Sequence, residues 1–278
     1  MMRLFQGAIF ILVTLSTPLL WADAGVAERI QSLSYKVEQN PKNLVLRLQR
    51  ALAYMENNQP ELALADVHWA ESQGDPAEAA YIHGVLLFRQ NRHSEARPYF
   101  DRYLQAFPTH WSALSYRARL LRDSGENQLA LADYEMLISV NDALDPGYYL
   151  SAARLMAGLP QRGVDQALSL LDRRMAERGK VSSLQRYAID LETQRGNYQG
   201  AIERMASLDE KLRATPQWQL EVAELLLLAG HSGEALPYLD VAQEQLAARR
   251  QTAVNIQLME TAQQLQERAH ATAPSEPL

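Results

Sequence analysis

Small residues recur along this chain at a nearly constant interval, and that recurrence constrains the fold more than any other feature. Ala63, Ala96, Ala130, Ala167, Ala201 and Ala235 are separated by 33, 34, 37, 34 and 34 residues. A second series, Ala51, Gly84, Ala118, Ala153, Ala188 and Ala223, runs out of phase with the first at spacings of 33, 34, 35, 35 and 35. Large apolar residues follow at fixed offsets. Tyr54, Leu87, Leu121, Met156, Leu191 and Leu226 lie three residues after the second series; Val67, Phe100, Tyr134, Leu171, Met205 and Leu239 lie four after the first. Four columns in register over six copies define a chain built by repetition, and each element has to be read as part of a repeating unit.

Residues three and four apart share one face of an α-helix, so each unit is expected to hold two amphipathic helices. A side chain no larger than a methyl lets two helix axes approach to the short end of the usual ~8–10 Å range, while bulky neighbours fill the flanks. Between the two helices, at matching positions, stand Asn58, Asn91, Gly125, Gly196 and Gly230. Asn and Gly tolerate the left-handed conformation that closes a helix, so these five mark a tight turn. The fourth unit departs from the pattern, with Gly158, Pro160 and Gly163 in a turn about two residues longer. Pro76, Pro108, Pro146 and Pro216 fall in or near the links between units, where a missing backbone donor costs least.

The columns Ala51, Tyr54, Asn58, Ala63, Val67, Ala70 and Gly84, Leu87, Asn91, Ala96, Phe100, Tyr103, Pro108 resemble the tetratricopeptide repeat, as do Ala118, Leu121, Gly125, Ala130 and Tyr134. The tryptophan column of that family is absent, because Trp111 and Trp218 stand slightly before its place. The resemblance extends over residues 43 to about 247. It implies an all-α fold: a right-handed α-solenoid of about six helix-turn-helix repeats, at about 43–75, 76–109, 110–144, 145–180, 181–214 and 215–249.

The ends read differently. Met1-Met2-Arg3 followed by a mostly apolar run to Leu20 and by Ala22-Asp23-Ala24 has the pattern of a signal peptide, 1–24, with cleavage expected after Ala24; the alternative is an uncleaved N-terminal anchor. Pro18 favours an extended, cleavable stretch over continued helix. Residues 25–42 form an expected N-terminal helix and link, with Val26, Ile30, Leu33 and Val37 at helical spacing. Residues 250–270 form an expected C-terminal capping helix that uses Val254, Leu258 and Leu265, and 271–278 a disordered tail. Export without a single cysteine points to the periplasm, with no stable membrane insertion once the leader is removed.

Zero cysteines exclude disulfides, thiolate metal sites and a cysteine nucleophile. The net charge of −6 gives no global attraction to nucleic acid, and none is expected as a partner. His68, His83, His93, His110, His231 and His270 are scattered singly, without the H-E-x-x-H spacing that places two imidazoles on one helical face, so no metal or other cofactor is expected. Gly230-His231-Ser232-Gly233 suggests a serine nucleophile only superficially, since Glu234 occupies the position where a nucleophile elbow needs glycine. No phosphate loop or dinucleotide fingerprint occurs. The expectation is a chain without enzymatic activity.

In the tetratricopeptide family the first helices of successive repeats line a concave groove. Carried over by position, the groove residues here are Leu52, Met55, Val85 and Phe88, with Tyr81 one turn before Val85, giving an apolar half. Arg89, Arg119, Arg122 and Arg154 give a basic half. Together they suggest a protein or peptide partner anchored by an aliphatic or aromatic side chain, with a carboxylate or acidic cluster gripped by guanidinium forks. The Lys and Asn of the family's known carboxylate clamp are absent, because Leu48, Leu52 and Ile82 stand in their places. The expected role is a non-catalytic periplasmic scaffold or adaptor of unspecified oligomeric state. The alternatives are an accessory subunit of an envelope secretion, pilus or polysaccharide-export assembly, and a cell-wall hydrolase or its regulator.

Overall fold

The computed structural model describes residues 18–272 except 75, 142 and 161, with side chains from residue 25 onward. The described residues form fifteen α-helices and no strands. After α1 (Pro18–Gln39) come the pairs α2 and α3 (Leu44–Glu56, Pro60–Ser72), α4 and α5 (Ala77–Arg89, His93–Ala106) and α6 and α7 (Trp111–Asp123, Asn127–Val140). Next are α8 and α9 (Pro146–Gly158, Gly163–Arg178) and α10 and α11 (Ser182–Gln194, Tyr198–Ala206). A single turn, α12 (Glu210–Arg213), precedes α13 and α14 (Pro216–Leu228, Ser232–Ala247), and α15 (Ala253–Thr272) closes the chain. The fold is all-α, a succession of helix-turn-helix repeats.

The columns of small and large residues are the core. All eleven alanines of the two small series are fully buried, and Gly84 is buried with them. Val67, Phe100, Leu171, Met205 and Leu239 are sealed as well, with Tyr134 nearly so. Each of the five turn residues has the left-handed backbone its identity suggests: φ is 54° at Asn58, 59° at Asn91, 81° at Gly125, 75° at Gly196 and 82° at Gly230. In the longer fourth turn the left-handed residue is Gly163, at φ 74°. Helix starts use local chemistry too. Asn43, Asp145, Asn197 and Thr215 accept hydrogen bonds from backbone N–H groups of the following turn, and Pro60, Pro146 and Pro216 occupy the first helical position.

Two compact units divide the chain, one up to Leu120 and one from Leu121. In the first, α1 packs on α2, α3 lies between α2 and α4, and α2 and α4 also touch, so first helices of successive repeats stand side by side. A buried ion pair joins the first repeat internally. Asp66 accepts from Arg50 Nε and Nη2, both at 2.7 Å, and from Arg47 Nη1 at 3.1 Å. In the second unit α8 touches α10, and α13 touches α15 in the same manner. There the core runs from Ile189 through Met205, Leu226 and Leu239 to Leu265. Buried Glu192 sits within the second unit and accepts from Arg195, Asn197 and Arg204, while Arg204 also grips Asp172 with two bonds of 2.6 and 2.8 Å. Burial pushes the Glu192 carboxyl up, but its three donors prevail and hold it below the ordinary range.

Both ends differ in part from the sequence reading. Residues 1–17 of the expected leader, and the side chains of Ala22-Asp23-Ala24, lie outside the described residues. The backbone from Pro18 onward is helical where an extended stretch was expected. Leu33 and Val37 are buried as their spacing suggests. In α15 the buried face is Ala262, Leu265 and Ala269, whereas Val254 is 65% exposed. The small-large-small pattern of the repeats therefore governs the last helix as well. Helix α15 ends at Thr272, and the remaining tail residues 273–278 lie outside the described residues.

Candidate functional site

The first unit carries a cavity of about 410 Å³ between α2 and α4, the first helices of its first two repeats. Leu44, Val45, Leu48, Gln49 and Leu52 from α2 face Glu78, Tyr81 and Ile82 from α4, and Tyr103 of α5 forms part of the lining. Val45 is 61% exposed, so an apolar wall opens directly to solvent. Leu52 also lines a second hollow of about 470 Å³ with Arg29, Leu33 and Lys36 of α1.

Aromatic rings stiffen one side of the cavity. The Tyr81 hydroxyl is 2.9 Å from Ser112 Oγ. Its ring lies 5.0 Å from Tyr103 and meets His110 edge-on at 5.1 Å, and Tyr103 meets His110 at 5.2 Å. Burial raises both tyrosine hydroxyls above the ordinary phenol range, so they stay neutral. Burial also lowers the His110 imidazole, and the backbone N–H of Ala113 donates to its Nδ1 at 3.3 Å.

The structure divides the nine residues expected in a groove. Leu52 and Tyr81 are half-buried and line the cavity. Met55, 8% exposed, and Val85, 1% exposed, are packed inside the helix layer. Phe88 is half-buried and stacks on His93 at 4.9 Å. Arg89 donates to the carbonyl of Met55 at 2.9 Å, and the Arg119 guanidinium lies 4.8 Å over the Phe88 ring. These seven belong to the first unit. In the second unit Arg122 is paired with Asp123 at 2.8 Å, and Arg154 lies 5.5 Å over the ring of Tyr187. The arginines are thus shared between two units, and Arg122 has its charge met locally. Of the lining residues that sequence reasoning did not place in the groove, Val45 and Gln49 lie outside the columns and were signalled only by their positions relative to Leu48 and Leu52 on α2, whereas Tyr103 of α5 stands in a column of the repeat.

A second cavity of about 500 Å³ lies in the other unit, lined by Ile138, Tyr149, Met156 and Leu170 with Glu135, Arg173 and Glu177. Its rim carries both signs of charge. The serine of the 230–233 run is buried, with Ser232 Oγ 2.6 Å from Thr272 Oγ1, as suits a structural residue. The histidines are not all isolated: His68 and His83, read as single residues in the sequence, come together with Glu71. No helix among the described residues is long and apolar enough to cross a membrane.

These features define a class of protein first, the helical-repeat proteins whose exposed surfaces lie between stacked helix pairs. The family follows from comparison. The tetratricopeptide repeat model matches residues 48–110 and 96–149, and that stretch of the chain carries tetratricopeptide repeats. No curated protein matches it in sequence. Among solved structures, a Naa15/Naa10 complex bound to HypK-THB superimposes with a TM-score of 0.57 at 13% identity, covering 88% of this chain and 37% of that one. A MamA structure gives 0.52 at 14% identity, over 63% of this chain and 96% of that one. The tetratricopeptide protein YrrB, described as having an unusual peptide-binding site, gives 0.51 at 13% identity, over 71% and 97%. At such identities the likeness concerns the fold.

Proposed function

We propose that the chain is a non-catalytic scaffold of the periplasm that seats an apolar side chain of a protein partner in the cavity between α2 and α4. The observation that carries this reading is a solvent-open apolar hollow bounded by Val45, Leu48, Leu52, Tyr81 and Ile82 on two adjacent first helices. Rigid helices hold such a wall without induced ordering, which lowers the entropic cost of binding. The peptide site described for YrrB is a precedent for recognition by this repeat. An acidic group on the partner suits Arg89 and Arg119. Among the described residues neither pairs with a carboxylate; one donates to a backbone carbonyl and the other covers a ring. The N-terminal pattern supports export to the periplasm, and the repeat architecture supports an interaction role over a catalytic one.

A photoactivatable crosslinker at Gln49 in intact cells tests the reading. Capture of a partner is expected, lost with Leu52→Asp and retained with Val254→Asp on the exposed end of α15. Unchanged capture with Leu52→Asp would exclude the cavity. Arg89→Glu with Arg119→Glu is expected to weaken capture and remove its sensitivity to salt. The periplasmic proposal requires the chain in the osmotic-shock fraction, with an intact mass that lacks residues 1–24.

A further inference from the structure

We infer that His68, Glu71 and His83 form a zinc(II) site at the joint between the first two repeats. His68 and Glu71 lie one turn apart on α3, so their side chains leave the same face of that helix. His83 reaches them from α4, which packs against α3. The three residues offer one ligand atom each, and those atoms lie within 4.8 Å of one another. His83 is buried, its Nδ1 is 2.8 Å from Glu71 Oε1, and its ring rests against Tyr99 at 4.1 Å. One imidazole is therefore fixed by the protein. The His68 ring meets it edge-on at 5.3 Å and is exposed, which gives an ion a route from solvent and leaves one ligand free to swing.

Chemistry selects the metal. Two neutral imidazoles and one carboxylate match zinc, whereas magnesium and calcium require oxygen donors throughout. Zinc bonds of about 2.0–2.2 Å place tetrahedral ligands roughly 3.3–3.6 Å apart, so binding takes an inward rotation of His68 and a slight parting of His83 Nδ1 from Glu71 Oε1, which stand 2.8 Å apart without metal. Three protein ligands leave a fourth position for water. The Arg102 guanidinium, 3.8 Å from the Glu71 carboxylate, opposes the incoming cation and makes the site weaker than a four-ligand structural centre. Bound metal ties α3 to α4 and stabilises the folded state in proportion to its concentration.

The test is calorimetric titration of the full chain with Zn²⁺ in metal-free buffer, with Mg²⁺ and Ca²⁺ as competitors. One zinc per chain is expected, undisturbed by either competitor. Loss of an outer-shell partner alone typically costs ~10–100-fold in affinity, so His68→Ala and Glu71→Gln are each expected to cost at least about tenfold. His83→Ala removes a buried ring and can unfold the first repeat. His68→Ala, at an exposed position, keeps the test valid, with circular dichroism confirming unchanged helix. His231→Ala is the control, because His231 and Glu234 form an exposed pair at 2.9 Å that has no third metal-ligating group beside it among the described residues. Equal loss from His231→Ala, a stoichiometry other than one, or undiminished affinity in Glu71→Gln would each overturn the three-ligand site.

Discussion

Gly84 faces the ring of Phe100 so closely that a Cβ built on it would lie 3.1 Å from both Cε1 and Cζ. The ring has nowhere to retreat, being fully buried and stacked on Tyr116 at 5.4 Å with an interplanar angle of 7°. Gly84→Val is therefore expected to cost about 1–3 kcal/mol by overpacking. Gly84→Ala sets the same clash, in smaller form, against a helix-propensity gain of about 1 kcal/mol, and is expected to be nearly neutral. Urea denaturation followed by circular dichroism separates the two. Equal midpoints for the valine variant and the parent would mean that α4 and α5 are not pinched together at this point.

The turn between those helices gives a second prediction. Asn91 holds φ 59°, and its N–H donates to the carbonyl of Phe88 at 3.0 Å. Left-handed backbone costs an L-residue about 1–2 kcal/mol unless it is Asn, Asp or Gly. Asn91→Val is expected to lose that amount and Asn91→Gly to be neutral or slightly stabilising. Thermal melting of the two variants decides, and the same ordering is expected at Asn58, where φ is 54°.

These two positions show what the sequence made legible. The small-residue columns repeat six times and the turn residues five, and repetition raises a weak local signal above chance. The facing of each helix was less readable. Helix α4 is buried from Ala79 to Leu87 with only Tyr81 half-open, because α2, α3 and α5 all pack on it. A helix covered on three sides is apolar nearly all round, so position alone could not tell that Val85 turns inward while Tyr81 lines a cavity. The short α11 and the extra turn α12 also escaped, since Ser207 to Thr215 carries no column. The histidine cluster escaped for a different reason. Only one of its ligand pairs, His68 and Glu71, shares a helix, and His83 joins them through packing between repeats.

The ion pair inside the first repeat yields a third prediction. Asp66, 3% exposed, takes two bonds from Arg50 and one from Arg47, and Arg47 itself lies 4.1 Å over the Trp69 ring. Asp66→Ala strands two guanidinium groups whose remaining exposure lets them reach water in part. The expected loss is roughly 3 kcal/mol, the low end for breaking a buried pair. Arg50→Lys is expected to lose less, since it keeps the charge and forfeits the forked geometry. Chemical denaturation of both variants checks the order, and a larger loss for Arg50→Lys would contradict it.

The last prediction concerns acid. Burial lowers His110 below its ordinary value of 6.5, so the folded protein favours the neutral ring. Nδ1 accepts from Ala113 N–H at the start of α6, and protonation would remove that lone pair and place a cation at a helix N-terminus. The unfolded chain takes up the proton first as pH falls. The stabilisation is thus complete above 6.5, declines as pH drops below it, and is lost on passing the lower folded value. His110→Asn keeps a capping acceptor without a titrating group. Between about pH 7.5 and about pH 5 the parent is expected to lose more melting temperature than His110→Asn. The other histidines are common to both proteins and cancel in the comparison. Parallel losses would show that His110 is protonated as easily in the folded chain as in the unfolded one, and that the rings of Tyr81 and Tyr103 do not shield it.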